Sequence, residues 1–324
     1  MSILASVPGR SGRGAWWCVA FLSVALPACE AQPAASPESR RAPASEVEAR
    51  AEANVEPNKV RAELVLSDAP QPGQVIWLGV RFQIQDEWHI YADALNDTGV
   101  PPKVEWTLPE GWTVGAWVWP GARRYTQPGE ILDHVYEREV TLLAPLSVPA
   151  GAKPGSEAML RAKLDWLVCK DICIPEEQVA SKPVRIGTEP SDAERRAVQR
   201  ALDALPRPTR LDAAGVGPVV EGESKVEMVW TKPQTVVIEV GGPVEKLEFV
   251  PDRPPAEGGV EFENLFERGI SPRGRLELKV KSEAPIKGTL GIFRKGSPRP
   301  EYRSVSLAAR ESVEDKDSKP ASKP

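Results

Sequence analysis

The chain has 324 residues, 27% of them charged, with a net charge of −5, 33 prolines and 10 tryptophans. The length suits two ordinary domains, and the slight acidity gives no basis for nucleic-acid binding. Strand-like segments punctuated by proline and glycine dominate, so the expected fold class is all-β, built as sandwiches.

Arg10 and Arg13 precede an apolar run from Ala15 to Leu26. At 12 residues it is too short to cross a bilayer as a helix and fits an export signal over 1–28. The run closes with Leu26-Pro27-Ala28-Cys29, which resembles the lipobox of bacterial lipoproteins. That resemblance implies cleavage before Cys29 and a lipid on its sulfur, which would hold the protein at a membrane in the periplasm. An ordinary cleavage site is the alternative, because Cys18 also lies in the segment and Pro27 is unusual there. Cleavage removes two arginines and no acidic residue, taking the net charge from −5 to −7. The exported chain then keeps Cys169 and Cys173 in a compartment that permits disulfides.

Residues 29–57 are rich in Ala, Pro, Ser and Glu with almost no large apolar side chain, and read as a disordered tether. Strand signals begin at Lys59 and define a first domain over 58–188. Ala62, Leu64 and Leu66 alternate with polar neighbours, and Val75–Ile84 is a longer strand behind the turn Gln71-Pro72-Gly73. Trp88–Tyr91 follows, then a loop through Asn96-Asp97-Thr98-Gly99, then Lys103–Leu108. Trp117 and Trp119 flank Val118, Pro120-Gly121 opens a polar loop to about Asp133, and Tyr136–Leu146 is the next strand. In Ala158–Pro175, Ala158, Leu160, Ala162, Leu164 and Trp166 alternate with Met159, Arg161, Lys163 and Asp165, the period of a half-buried strand. Gln178–Ile186 closes a set of about eight strands, as in an immunoglobulin-like sandwich.

Ser191 and Glu194 form a capping box. Ala197, Val198, Ala201, Leu202 and Leu205 then recur at helical spacing, predicting one linking helix over about 192–205 within residues 189–208. A second β domain over 209–310 carries strands at Lys225–Trp230, Thr235–Val240, Val244–Val250, Arg275–Val280 and Ile286–Phe293, with no Cys or His. Residues 311–324 read as a disordered charged tail.

The strand that ends in Cys169 and Cys173 concentrates the chemistry. Fully extended, the two cysteines would lie about 13 Å apart, whereas a disulfide needs Cα atoms within about 7 Å. Lys170, Asp171 and Ile172 must therefore turn if the pair bonds. A ring this small removes only about 2 kcal/mol of unfolded-state entropy, against about 4.7 for a 100-residue loop. Redox activity, a fixed staple and Cu(I) binding by two thiolates all stay open. Lys170 would favour a thiolate and Asp171 oppose it. No spacing recruits His89 or His134 to a zinc site, Ile174 after Cys173 breaks the haem-attachment pattern, and no cofactor or metal is assigned. His89 and Tyr91 share a strand face and read first as wall residues, and Trp117 and Trp119 as core aromatics.

Residues 86–112 (DEWHIYADALNDTGVPPKVEWTLPEGW), 135–149 (VYEREVTLLAPLSVP) and 166–178 (WLVCKDICIPEEQ) resemble, in that order, the N-terminal periplasmic domain of the thiol:disulfide interchange protein DsbD. The look is closest to its suppressor-of-copper-sensitivity branch, ScsB. The helix ending in Leu205-Pro206 and the run LEFVPD at 247–252 more loosely resemble the second N-terminal domain of that branch. The resemblance implies an immunoglobulin-like domain that passes electrons by thiol–disulfide exchange, receiving them through a thioredoxin-like domain and reducing exported disulfide proteins. It implies Cys173 as the sulfur attacked and Cys169 as its partner, with His89 and Tyr91 lining the pair. Trp119 falls where the family has a capping aromatic. The cysteine gap is shorter here than in DsbD, a tyrosine stands there in place of His89, and the cap is Trp-Pro-Gly instead of an acidic, phenylalanine-bearing loop. The family's membrane and C-terminal thioredoxin-like domains have no counterpart in the sequence, so the implied donor is the thioredoxin-like domain of a separate membrane electron transporter.

Overall fold

A computed structural model describes residues 58–212, 215–217, 225–254 and 260–310. The expected export signal, Cys29, the expected tether and the expected tail from 311 lie outside the described residues. Those that are described fall within one compact unit, Pro57–Pro324, which contains two hydrophobic cores.

The first core lies between two antiparallel sheets made from β1 (Val60–Leu66), β2 (Val75–Ile84), β3 (His89–Tyr91), β4 (Lys103–Thr107), β5 (Thr113–Val114), β6 (Arg123–Gln127), β7 (Ile131–Glu137), β8 (Glu139–Ser147), β9 (Glu157–Cys169) and β10 (Cys173–Arg185). One sheet runs β1-β2-β8-β5; the other runs β10-β9-β3-β7-β6, with β4 also paired to β9. The alternation read in β9 holds position by position. Leu160, Ala162, Leu164, Trp166 and Val168 are buried, while Arg161 and Lys163 are exposed. A slip of one residue would drive both cations into the core, so the register is fixed. The Trp166 ring meets the edge of Phe82, centroids 5.5 Å apart, and ties the two sheets together.

The edge of β1 is closed by side chains rather than by a strand. The Glu176 carboxylate accepts from Lys59 N (2.6 Å), Val60 N (3.2 Å) and Trp166 Nε1 (3.1 Å). The Gln178 amide accepts from Ala62 N (2.9 Å) and donates to Ala62 O (2.6 Å). Backbone groups that would otherwise offer a pairing edge are thereby occupied.

Three expectations need correction. The predicted polar loop from Pro120 to Asp133 contains β6 and the start of β7. These strands escape a hydrophobicity reading because their buried side chains include Arg124, Asp133 and His134. The single strand expected over Tyr136–Leu146 is two, divided at Arg138, whose φ of 63° turns the chain from one sheet into the other. In addition, the strand expected from Gln178 begins earlier, at Cys173.

Helix α1 (Asp192–Asp203) starts with the predicted capping box: Glu194 N donates to Ser191 Oγ (3.3 Å) and Ser191 N to Glu194 Oε2 (3.0 Å). It seats Val198 and Ala201 against Val65 and Leu143, on the outside of the β1-containing sheet.

The remaining elements are β11 (Arg207–Pro208), β12 (Val226–Lys232), β13 (Thr235–Val240), β14 (Lys246–Pro251), β15 (Phe262–Glu263), α2 (Leu265–Arg268), β16 (Ile270–Ser271), β17 (Arg275–Val280), β18 (Ile286–Phe293) and β19 (Glu301–Leu307). They form the sheets β11-β19-β18-β14-β16 and β12-β13-β17-β15 around the second core. β19 was not anticipated because the first of its buried positions is Arg303, whose Nε donates to Thr209 Oγ1 at 3.0 Å.

The two sandwiches share residues. Leu132 of β7 belongs to the second core and Val250 of β14 to the first. Leu95 N donates to Pro251 O at 3.0 Å, and Gly121 lies so close to the Tyr302 ring that a Cβ there would overlap it.

Candidate functional site

Cys169 and Cys173 form the last pair of the 13-residue β9–β10 ladder. Lys170, Asp171 and Ile172 make the turn between them, with Lys170 N donating to Ile172 O at 3.2 Å. Strand geometry thus brings the two Cα atoms to 4.2 Å and a disulfide joins the sulfurs. The sulfurs are unequal in access: Cys169 is 3% exposed, whereas Cys173 is exposed.

The alternation of β9 places Cys169 on the face opposite Trp166 and Val168, outside the core. There it forms a small separate cluster with Tyr91, Val135, Leu167 and Tyr125. His89 stands directly across from Cys169 in the β3–β9 ladder. Tyr91, two residues on, shares that face, and its hydroxyl lies 3.5 Å from Cys173 Sγ. The His89 ring packs edge-on against Tyr91 (5.4 Å) and tilted over Tyr125 (4.5 Å). The structure therefore brings together four of the residues singled out from the sequence: both cysteines, His89 and Tyr91.

Trp119 is not among them. It packs against Trp117 (5.6 Å) and the inner-face core, on the wall of a cavity of about 510 Å³ lined also by Tyr136, Pro206 and Val250. The cysteines lie on the outer face of the β9-containing sheet, away from that core. The aromatic groups at the disulfide are Tyr91 and Tyr125, and the backbone covering Tyr91 is that of Gly99, where a Cβ would overlap the phenol ring.

Three contributors were missed in the sequence: Tyr125, Thr98 and Asp133. Asp133 is fully buried. Its carboxylate accepts from Thr98 Oγ1 (2.6 Å), Thr98 N (3.0 Å) and Gln127 Nε2 (3.4 Å). Thr98 Oγ1 is in turn 3.5 Å from the Tyr91 hydroxyl. A polar chain thus runs from a buried carboxylate to the exposed sulfur. The signal available was the turn-forming Asn96-Asp97-Thr98-Gly99, whose side chains bond to β7: Asp97 Oδ2 accepts from Leu132 N (2.7 Å) and Asn96 Oδ1 from His134 N (2.7 Å).

Burial holds the His89 imidazole below its usual pKa, against the opposing charges of Asp133 and Glu137. Burial likewise raises the Tyr91 phenol, keeping it protonated. Lys170 is engaged by Glu87 at 2.8 Å, which raises its own pKa and lowers that of Glu87. Its charge is matched at the surface by that carboxylate. Beside the disulfide, Val100, Pro101, Leu167 and Pro175 line a groove of about 390 Å³, and Ile172 at the turn is 67% exposed.

Residues 59–184 match the protein family described as "Thiol:disulfide interchange protein DsbD, N-terminal". Among solved structures, the N-terminal periplasmic domain of ScsB from Proteus mirabilis matches with a TM-score of 0.50 at 14% identity, covering 78% of this chain and 92% of that one. The reduced N-terminal domain of DsbD from Neisseria meningitidis matches with a TM-score of 0.27 at 16% identity, over 44% of this chain and 98% of that one. No curated protein matches the sequence. The ScsB likeness establishes a shared fold.

Proposed function

Starting from the DsbD N-terminal family match of residues 59–184, we propose that this protein is a periplasmic thiol–disulfide interchange protein that relays electrons to exported disulfide-containing substrates. The observation that carries this reading is the inequality of the two sulfurs, one exposed and one buried, at the end of one hairpin. Exchange needs an accessible sulfur for attack and a second to leave and later resolve.

In the reducing half-reaction, a thiolate of a thioredoxin-like partner domain attacks Cys173 Sγ. An intermolecular S–S bond forms, and the Cys169–Cys173 bond breaks with its electron pair on Cys169. The partner's second thiolate then attacks its own sulfur in the mixed disulfide. The partner leaves oxidised, and Cys169 and Cys173 remain as a dithiol carrying the two electrons and two protons. In the second half-reaction the Cys173 thiolate attacks a substrate disulfide and Cys169 resolves the product. Tyr91 and Tyr125 cover Cys169 on its outer face and limit access by adventitious oxidants, the capping role that the family resemblance implies for Trp119.

Replacing Cys169 by Ser removes the resolving sulfur. This variant should accumulate a mixed disulfide through Cys173 with a thioredoxin-like protein; finding no adduct, or finding one only in Cys173→Ser, would refute the roles assigned. We further propose that Cys29 carries a lipid and residues 30–57 act as a tether. Among the described residues no helix is long and apolar enough to cross a membrane. Cys29→Ala should move the protein from the membrane fraction to the soluble one.

A further inference from the structure

Resting on the exchange role proposed above, we propose that His89 is the acid–base partner of the Cys169 sulfur, receiving the proton that charges the site when the disulfide opens. Three observations carry this. His89 and Cys169 are directly opposed in the β3–β9 ladder, so their Cβ atoms are close neighbours on one face. His89 is 2% exposed. Its Nε2 is buried and makes no hydrogen bond, a situation that native interiors seldom leave unexplained.

The disulfide has no proton to offer that nitrogen. A reduced Cys169 does. The orphaned nitrogen is therefore matched to the reduced state of the sulfur across from it. His134 makes a contrast. It also leaves Nε2 unpartnered, but it pairs with Arg124 on the side of β7 turned toward the second sandwich, and Leu95 O holds its Nδ1 at 2.8 Å.

The chemistry follows from burial. When a partner thiolate attacks Cys173, the electron pair of the broken bond arrives on Cys169, which is 3% exposed in a pocket walled by Tyr91, Val135, Leu167 and Tyr125. A lone thiolate there is costly. The imidazole, neutral beside the disulfide, binds a proton as the charge develops and then holds an imidazolium–thiolate pair or returns the proton to sulfur. That proton replaces the one the attacking partner thiol released to solvent, so the full reaction moves two electrons and two protons.

The other charged and titratable groups around His89 do not substitute for it. Asp133 is taken by Thr98 and Gln127. Glu137, the β7 partner of His89, is ion-paired to Arg123 of β6. Lys170 of the turn is held by Glu87. Tyr91 and Tyr125 contribute rings, with the Tyr91 hydroxyl on the Cys173 side.

Two measurements test the assignment. In Cys173→Ala, which isolates Cys169, the thiolate should titrate below the free-cysteine value of roughly 8.5. Adding His89→Phe should raise that midpoint by about one pH unit or more, since a neighbouring imidazolium is what lowers a thiol. In the intact disulfide, dithiothreitol attacks without any protein partner. His89→Phe should slow its reduction about tenfold at neutral pH, because a poorer leaving thiol leaves more slowly. His89→Gln, which preserves polarity but cannot hold the charge, should behave like His89→Phe. Equal Cys169 midpoints with and without His89→Gln in the Cys173→Ala background, and equal reduction rates in wild type and His89→Gln, would overturn the proposal. A wild-type disulfide that resists dithiothreitol altogether would instead overturn the relay reading, and the Cys169 titration would still decide the role of His89.

Discussion

Arg124 and Tyr125 are neighbours in β6 and point to opposite sides of it. Tyr125 packs over His89 at the disulfide. The Arg124 guanidinium is buried in the second sandwich, where Nη2 donates to Leu265 O at 3.1 Å and to Phe266 O, both in the first turn of α2. One short strand thus joins the aromatic cover of the sulfurs to the second sandwich. Arg124→Ala leaves two carbonyls without their charged donor, a loss of about 1.5–3 kcal/mol per such bond before water replaces it. It should lower stability in urea denaturation by about 2–3 kcal/mol and make the disulfide more reactive toward dithiothreitol. Lost stability with unchanged reactivity would show that the second sandwich does not hold Tyr125 in place.

Gly99 presses its backbone on the Tyr91 ring, and its φ lies outside the left-handed region, so the constraint there is space. Gly99→Ala should displace Tyr91 or the loop at a cost of about 1–3 kcal/mol, the range for overpacking. Because Tyr91 touches Cys173, reduction of the disulfide should also accelerate. The comparison of melting temperature and dithiothreitol kinetics in the same variant reads both effects.

A relay must be folded in both redox states. The Cys169–Cys173 ring spans a sequence separation of four, and loop-closure entropy assigns it roughly 2 kcal/mol. The first core holds many fully buried side chains, Phe82, Ile90, Leu142, Leu160 and Leu164 among them, at about 1.5–3 kcal/mol each. The reduced protein should therefore keep its fold, with a urea midpoint lowered by no more than that 2 kcal/mol implies. Unfolding on reduction would mean that the disulfide is a staple.

His134 provides a pH test of the packing between the sandwiches. Burial depresses its pKa to about 4, while the unfolded chain takes up a proton near the unperturbed value of roughly 6.5. The unfolded state thus binds more protons between these values, and stability is full above the higher one. It should fall by about 3 kcal/mol in total as pH drops through that window. His134→Leu should flatten this slope in denaturation curves taken at intervals across it, whatever its effect at neutral pH.

The sequence made the scaffold legible where burial follows hydrophobicity. β13, β17 and β18 match their expected bounds residue for residue, and β9 keeps its alternation. It was opaque where polar side chains are buried for structural reasons. Arg124, Asp133 and His134 concealed the β6–β7 hairpin, and Arg303 concealed β19. The same cause hid part of the site. Cys169, Cys173, His89 and Tyr91 are local to two recognisable strands. Tyr125 and Asp133 reach the site only through strand pairing, and Thr98 only through the loop bonds that join it to β7, neither of which hydrophobic periodicity encodes. Likeness to a family loop points Trp119 to the disulfide, but the isolated bridge between Val118 and Leu143 carries its segment to the other sheet.

The equilibrium reduction potential of Cys169–Cys173, measured by titration against dithiothreitol or glutathione, tests the central claim most directly. An interchange protein should give a value above about −300 mV, in the range of thioredoxin-like partners, whereas structural disulfides lie below it. A value well below that limit would contradict the account and leave the cysteines as a fixed closure of the hairpin.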